Sequence, residues 1–366
     1  MTDPRMTEMA RTITAYCLAL ETGDLLRIEA TALAQPLVNA VYAEALAAGA
    51  NVLTRIALDG LQETLFRHAT DDQLRFVPDV ERLETETITA RLVIGGGWNT
   101  RNLSGIAPEK LALPRQARRD LFDRLLARKA RGELKSCITL FPTQSGARDA
   151  EMSLAEYEDF VFGACFVDRP DPIAEWQKLS RYQAGIAQRL NQVRQLRVEA
   201  ADTELELSVA GRTWINSDGK ANFPSGEIFT APVEDSVNGT IRFEFPALYS
   251  GREVNDIRLT FEQGKVVKAS AGRGDDFLRA MLATDAGAAY LGEAAFGTNP
   301  GIQRFTRNIL FDEKIGGTMH FALGASYPES GGRNQSAIHW DLIKDLRTEG
   351  RVYADGSLIY ETGRFR

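Results

Sequence analysis

The sequence predicts an α/β chain in two parts: an N-terminal open α/β domain built on a parallel sheet, then a C-terminal α+β domain with an antiparallel or mixed sheet. Three observations carry this. At 366 residues the chain exceeds the ~250–300 residues at which single cores stop growing. Its first half alternates strand-like and helix-like segments with short connections, the grammar of a parallel sheet covered by helices. After about Gln195 short alternating runs are separated by Gly-, Asn- and Asp-rich turns, the pattern of hairpins.

Taken in order, Ile13, Tyr16, Cys17 and Leu20 fall at helical spacing and predict an amphipathic first helix. Leu25 to Ala30 reads as a strand, Pro36 to Ala48 as a helix stopped by Gly49, and Asn51 to Leu58 as a second strand. Arg91 to Ile94 is a strand entering Gly95-Gly96-Gly97, Pro114 to Arg131 a helix, and Cys137 to Phe141 a further strand. Apolar residues spaced at threes and fours from Ile173 to Val193 predict a long helix. The division is placed at residues 1–192 and 193–366. Beyond it, Leu196 to Val198, Leu205 to Val209, Gly239 to Phe243, Ile257 to Phe261 and Val266-Val267 read as strands, and Asp276 to Leu282 as a helix.

Composition narrows the function. Lys plus Arg number 43 against 50 for Asp plus Glu, a net charge of -7, which argues against a nucleic-acid or anionic-membrane partner. The N-terminal stretch interleaves Arg5, Glu8 and Arg11 with its apolar residues, unlike a signal peptide, and no uncharged run approaches the ~20 residues of a membrane span. A cytoplasmic protein is expected. Cys17, Cys137 and Cys165 are widely spaced and read as small buried apolar residues.

The glycines after Ile94 lack the third glycine of a dinucleotide fingerprint, because Thr100 stands there, so they read as a structural turn. No nucleophile elbow occurs, and with His68, His320 and His339 as the only histidines a serine triad has few ways to form. His339-Trp340-Asp341 is more informative. On a strand, residues two apart share a face, so imidazole and carboxylate point together, as a metal ligand pair or as a core histidine satisfied by an acid. His320, Ala322 and Gly324 share one face of a second strand, where small neighbours leave room for a ligand. Glu293 follows Leu291-Gly292, Glu313 ends Phe311-Asp312-Glu313, and Glu227 follows a turn expected to hold its carboxylate at a fixed loop position. Several acids with two histidines suit a pair of divalent ions.

The ordered set Asn-x-Pro-x-Gly-Glu-x-x-x-x-Pro (Asn222 to Pro232), Leu-Gly-Glu (Leu291 to Glu293), Leu-Phe-Asp-Glu (Leu310 to Glu313), His-x-Ala-Leu-Gly-x-x-Tyr (His320 to Tyr327) and His-x-Asp (His339 to Asp341) resembles the aminopeptidase T family of thermophilic-type metallo-aminopeptidases. The resemblance is specific from about residue 222 onward. It implies that Glu227, Glu293, Glu313, His320, His339 and Asp341 bind two divalent ions, zinc, cobalt, manganese or magnesium. It also implies that Tyr327 acts in catalysis, that Glu227 or Glu313 moves a proton, that short peptides are the substrates and that the protein is a homodimer. Two other readings stay open. One is a mononuclear Fe(II) ring-cleaving dioxygenase of the same fold, held by His320, His339 and Asp341. The other is a non-enzymatic interaction module stabilised by metal.

Overall fold

A computed structural model describes residues 3–249 and 251–366. The chain divides into two compact units, one of Met1–Ile173 with Gly219–Phe223, the other of Ala174–Asp218 with Pro224–Arg366.

The first unit is built on five parallel strands in the order Asn51–Ala57, Leu25–Thr31, Ala90–Gly95, Lys135–Leu140 and Asn222–Phe223. Its inner strands alternate buried and partly exposed residues, with Leu26, Ile28, Leu92 and Ile94 nearly or fully inaccessible. Short loops follow from the strand–helix alternation, as expected from the sequence. Gly96 turns at φ +114°, and a Cβ there would meet the Phe141 carbonyl at 2.6 Å, so the glycine run is a turn required by close backbone approach. The first helix runs from Pro4 to Thr12 and ends in a π-turn, Ile13–Cys17. The expected helix over Pro114 to Arg131 is instead two, Pro108–Ala117 and Arg119–Ala130. Pro114 cannot donate to the first helix's ladder, and the chain re-initiates at Arg118, whose amide shares the carbonyls of Pro114 and Arg115. All three cysteines are buried.

The second unit begins with the long helix Pro172–Leu190, which the sequence-based division at 192/193 assigns to the first half. Ile186, Ala187 and Leu190 pack into the apolar cluster of the second unit, and this burial decides where the helix belongs. Two antiparallel sheets contribute to that cluster. The larger has nine strands; the smaller is ordered His339–Asp345, Thr318–Gly324, Leu291–Gly297, Glu227–Thr230 and Ile215–Ser217. In the smaller sheet Met319, Phe321, Leu323, Trp340 and Leu342 face the cluster, so His320, Ala322, His339 and Asp341 project from the opposite face. Removing a buried ring such as Phe321, which is fully inaccessible, costs about 3–5 kcal/mol, enough to loosen the platform under the polar face.

Candidate metal centre

Register sets the site. Ala322 pairs with Glu293 on one neighbouring strand and with Asp341 on the other, and directly opposed residues share a face. Reaching that arrangement requires a break in alternation. Leu291 pairs with Leu323 on the apolar face, and strict alternation would send Glu293 there too. A bulge between Leu291 and Glu293 shifts the register, so Glu293 turns to the polar face while Ala294 and Phe296 return to the core. Gly292 permits it: a Cβ there would meet the carbonyls of Ala325 and Gly324 at 2.2 and 2.4 Å.

Glu227 was expected on a loop and is instead the first residue of the strand Glu227–Thr230, because Asn222–Phe223 has already formed an edge strand and only Pro224 to Gly226 turn. Its position is locked from below by Asn299. The Asn299 side-chain amide donates to the Ser225 carbonyl at 2.7 Å, and its backbone amide donates to the Lys314 carbonyl at 3.2 Å. Gly226, at φ +118°, lies so near that a Cβ would meet the Asn299 Cβ at 2.6 Å. Glu313 caps the C-terminus of the short helix Ile309–Asp312.

All six sequence-selected donors converge. His320 Nε2 lies 3.1 Å from Glu293 Oε1 and 3.6 Å from Glu227 Oε2. His339 Nε2 lies 3.4 Å from Asp341 Oδ1 and 3.5 Å from Glu293 Oε2. Three triads have ligand atoms within 4.8 Å of one another: Glu227, Glu293 and His320; Glu293, His339 and Asp341; Glu313, His320 and Asp341. They interlock, since each pair of triads shares one residue. Tyr327 stands at the rim, 44% exposed, its ring centroid 4.9 Å from that of His339 and 5.6 Å from that of Phe229. His68 sits exposed in the first unit and takes no part.

The electrostatics are those of an acid cluster awaiting cations. Burial pushes the Glu227, Glu293 and Glu313 carboxyls up from their ordinary range. Burial opposes the charging of both imidazoles, yet the Glu293 hydrogen bond raises His320 to about 9 and the Asp341 charge raises His339 to about 10. Asp341 falls to about 2, because the imidazole charges, His339 first, outweigh its burial. Burial and the surrounding carboxylates keep the Tyr327 phenol protonated. Protons on the histidines and the buried Lys314 ammonium supply positive charge to the carboxylates.

The donor set fits divalent ions. His339 Nδ1 lies 2.8 Å from the Ala325 carbonyl; donating there leaves the Nε2 lone pair facing the carboxylates, an orientation suited to a cation and poor for a neutral core histidine. Glu293 Oε2 is buried with no hydrogen-bond partner. Sequence reasoning missed Lys314, whose fully buried ammonium contacts Glu313 and lies 3.8 Å from Glu227. Nothing in the sequence marked it, since a lysine beside an acid is ordinarily a solvated pair. Asn299 gave no signal either, because its role is to tie two backbone segments.

An antiparallel platform bearing buried carboxylates and two imidazoles is a donor set suited to divalent ions. The family model described as thermophilic metalloprotease (M29) matches residues 2–365, and the chain belongs to that family. It is 29% identical to aminopeptidase 2 of Geobacillus stearothermophilus, with 94% of each chain covered. It is 30% identical to aminopeptidase T of Thermus thermophilus over 73% of this chain and 74% of that one. Among solved structures, wild-type AmpT from Thermus thermophilus superposes with a TM-score of 0.86 at 25% identity, covering 99% of this chain and 98% of that chain. A 2,5-dihydroxypyridine dioxygenase from Pseudomonas putida shares the fold, with a TM-score of 0.59 at 14% identity, covering 99% of this chain and 96% of that one.

Proposed function

We propose that this chain is a metal-dependent aminopeptidase that removes the N-terminal residue of short peptides at a site for two divalent ions. The observation that supports it is the set of three interlocking triads, any two of which share one residue, as a pair of neighbouring ions with a shared ligand would require. Such ions, zinc, cobalt, manganese or magnesium, would supply a water whose pKa is lowered toward ~7 and would polarise the scissile carbonyl. Glu227, Glu293, Glu313, His320, His339 and Asp341 hold them. Tyr327 donates its phenolic proton to the oxyanion that forms at the rim. Glu227 or Glu313 accepts the proton of the attacking water and passes it to the leaving amine.

The fold is shared with a dioxygenase, so fold alone does not choose the chemistry. The donor set does. A single iron on His320, His339 and Asp341 would leave Glu227 and Glu293 buried at 6% and 4% exposure without a role. The non-enzymatic reading, a module stabilised by metal, takes the acids to be solvated, whereas Glu227 and Glu293 are buried. The cytoplasmic location expected from composition and the homodimer implied by the family resemblance belong to this proposal; among the described residues no helix is long and apolar enough to cross a membrane.

The test is cleavage of leucine-p-nitroanilide and Leu-Gly-Gly by chelated protein resupplied with each metal, with metal content measured in parallel. Two ions per chain and restored release of leucine are expected. Failure of every metal to restore cleavage of any unblocked peptide overturns the reading, and one iron per chain points to the oxygenase.

A further inference from the structure

The two ends of the cluster differ in one respect. Around Glu293, His339 and Asp341, among the described residues, the positive charge within ion-pair distance is a proton on a histidine, and Lys314 acts on Asp341 from farther away. Around Glu313 and Glu227 the protein supplies its own cation. Lys314 is fully buried, its ammonium hydrogen-bonds Glu313 and lies 3.8 Å from Glu227. Its backbone is held on both sides: its amide donates to the Phe311 carbonyl at 2.9 Å, and its carbonyl accepts from Asn299. Gly297 lets this segment approach so closely that a Cβ would meet the Lys314 carbonyl carbon at 3.0 Å. The ammonium is therefore built into one corner.

We propose that Lys314 competes with metal for the Glu313 corner, so that the two positions fill in order: first Glu293, His339 and Asp341, then Glu313, His320 and Asp341. This rests on the two-ion reading above. A dication entering the second corner must share or displace the ammonium's hold on Glu313 and endure its repulsion. Two opposed effects follow from removing the lysine. Glu313 loses one orienting hydrogen bond, and the incoming ion loses a like charge a few ångströms away. The Coulomb repulsion of a unit charge and a dication at that range exceeds the net worth of one hydrogen bond, even in a well-screened site. Removal of Lys314 therefore tightens the second site.

The experiment titrates the chelated full-length protein with Co²⁺, following heat and the visible absorption of bound cobalt, in the wild type, Lys314→Met and Lys314→Gln. Wild type should bind in two steps separated by about tenfold or more, and both variants should tighten the second step by about tenfold with the first changed less than about threefold. Lys314→Gln keeps a donor for Glu313 and loses the charge, so equal tightening in both variants identifies charge as the cause. A single step in the wild type, or a second step unchanged or weakened in a folded variant, overturns the inference while leaving the peptidase reading intact. A wild type that binds no cobalt overturns both. Lys314→Arg keeps the charge and should leave the second step within about threefold of wild type; tightening of that step in Lys314→Arg overturns the inference.

Discussion

Glu293 and Asp341 flank Ala322, one on each neighbouring strand, so that two carboxylates and a methyl group lie in a row across the sheet. Ala322 is fully buried. Ala322→Leu should place a branched side chain among the ligands. The expected result is loss of bound metal and a fall in kcat/KM of about 10²-fold or more, with an added overpacking cost of about 1–3 kcal/mol. Elemental analysis beside a denaturation curve checks both; full metal content in Ala322→Leu would contradict this geometry.

Glu293 belongs to two of the three triads, and its loss should weaken above all the ion position it forms with His339 and Asp341. Glu293→Gln is expected to lower kcat by about 10³-fold or more while the chelated protein stays folded, because the amide keeps the shape and removes a buried charge. Circular dichroism and cobalt titration of the variant provide the comparison. Unfolding of the chelated variant would instead favour a structural role for the cluster.

Tyr327 touches His339 by ring packing and has its phenol held protonated by its surroundings. Tyr327→Phe keeps the ring and removes the donor. A drop of about 10²–10³-fold in kcat is expected, with KM and metal affinity nearly unchanged, the signature of an interaction made in the transition state. An equal change in metal affinity would place the tyrosine among the supports of the site.

The histidine shifts predict a pH dependence of the metal-free protein. His320 and His339 have folded values near 9 and 10, above the ordinary 6.5. A group raised on folding contributes stability that is fully present below its unfolded value and lost as pH rises through the folded one. The chelated protein should therefore lose stability between about pH 6.5 and 10, whereas saturating metal, which holds the imidazoles neutral, should flatten that loss. Melting temperatures of both forms across this range test it; parallel curves would show that the histidines are not the charge reservoir.

Gly226 is the hinge that delivers Glu227 to the sheet. Gly226→Ala adds a Cβ at φ +118° against Asn299 and should cost about 1–3 kcal/mol, with activity falling more than stability because Glu227 is displaced. Asn299→Ala should mimic it by freeing the Ser225 carbonyl, while the backbone amide at 299 still donates to the Lys314 carbonyl. Wild-type kcat in a folded Gly226→Ala would separate Glu227 from the active centre.

Much of this site was legible along the chain, and for local reasons. The two-residue period of a strand places His339 with Asp341, and His320 with Ala322 and Gly324, whatever the strands pair with. Alternation of strands and helices, and the change to hairpins after residue 195, likewise report local propensity, and both units have that architecture. The chain by itself thus determined which side chains are candidate donors and, for His320, His339 and Asp341, which face each occupies on its own strand.

What only the tertiary structure decided is the meeting of those faces. Glu293 reaches His320 across 27 residues because a bulge at Gly292 reverses the alternation that would have buried it among Leu323 and Phe321. Glu227 and Lys314 come together through Asn299, a residue with no chemistry of its own and a backbone role visible only when both segments are in place. Side-chain period is a property of neighbours in sequence; register, bulges and a buried counter-cation arise from pairing distant segments, where one residue of slip would turn every donor to the other face.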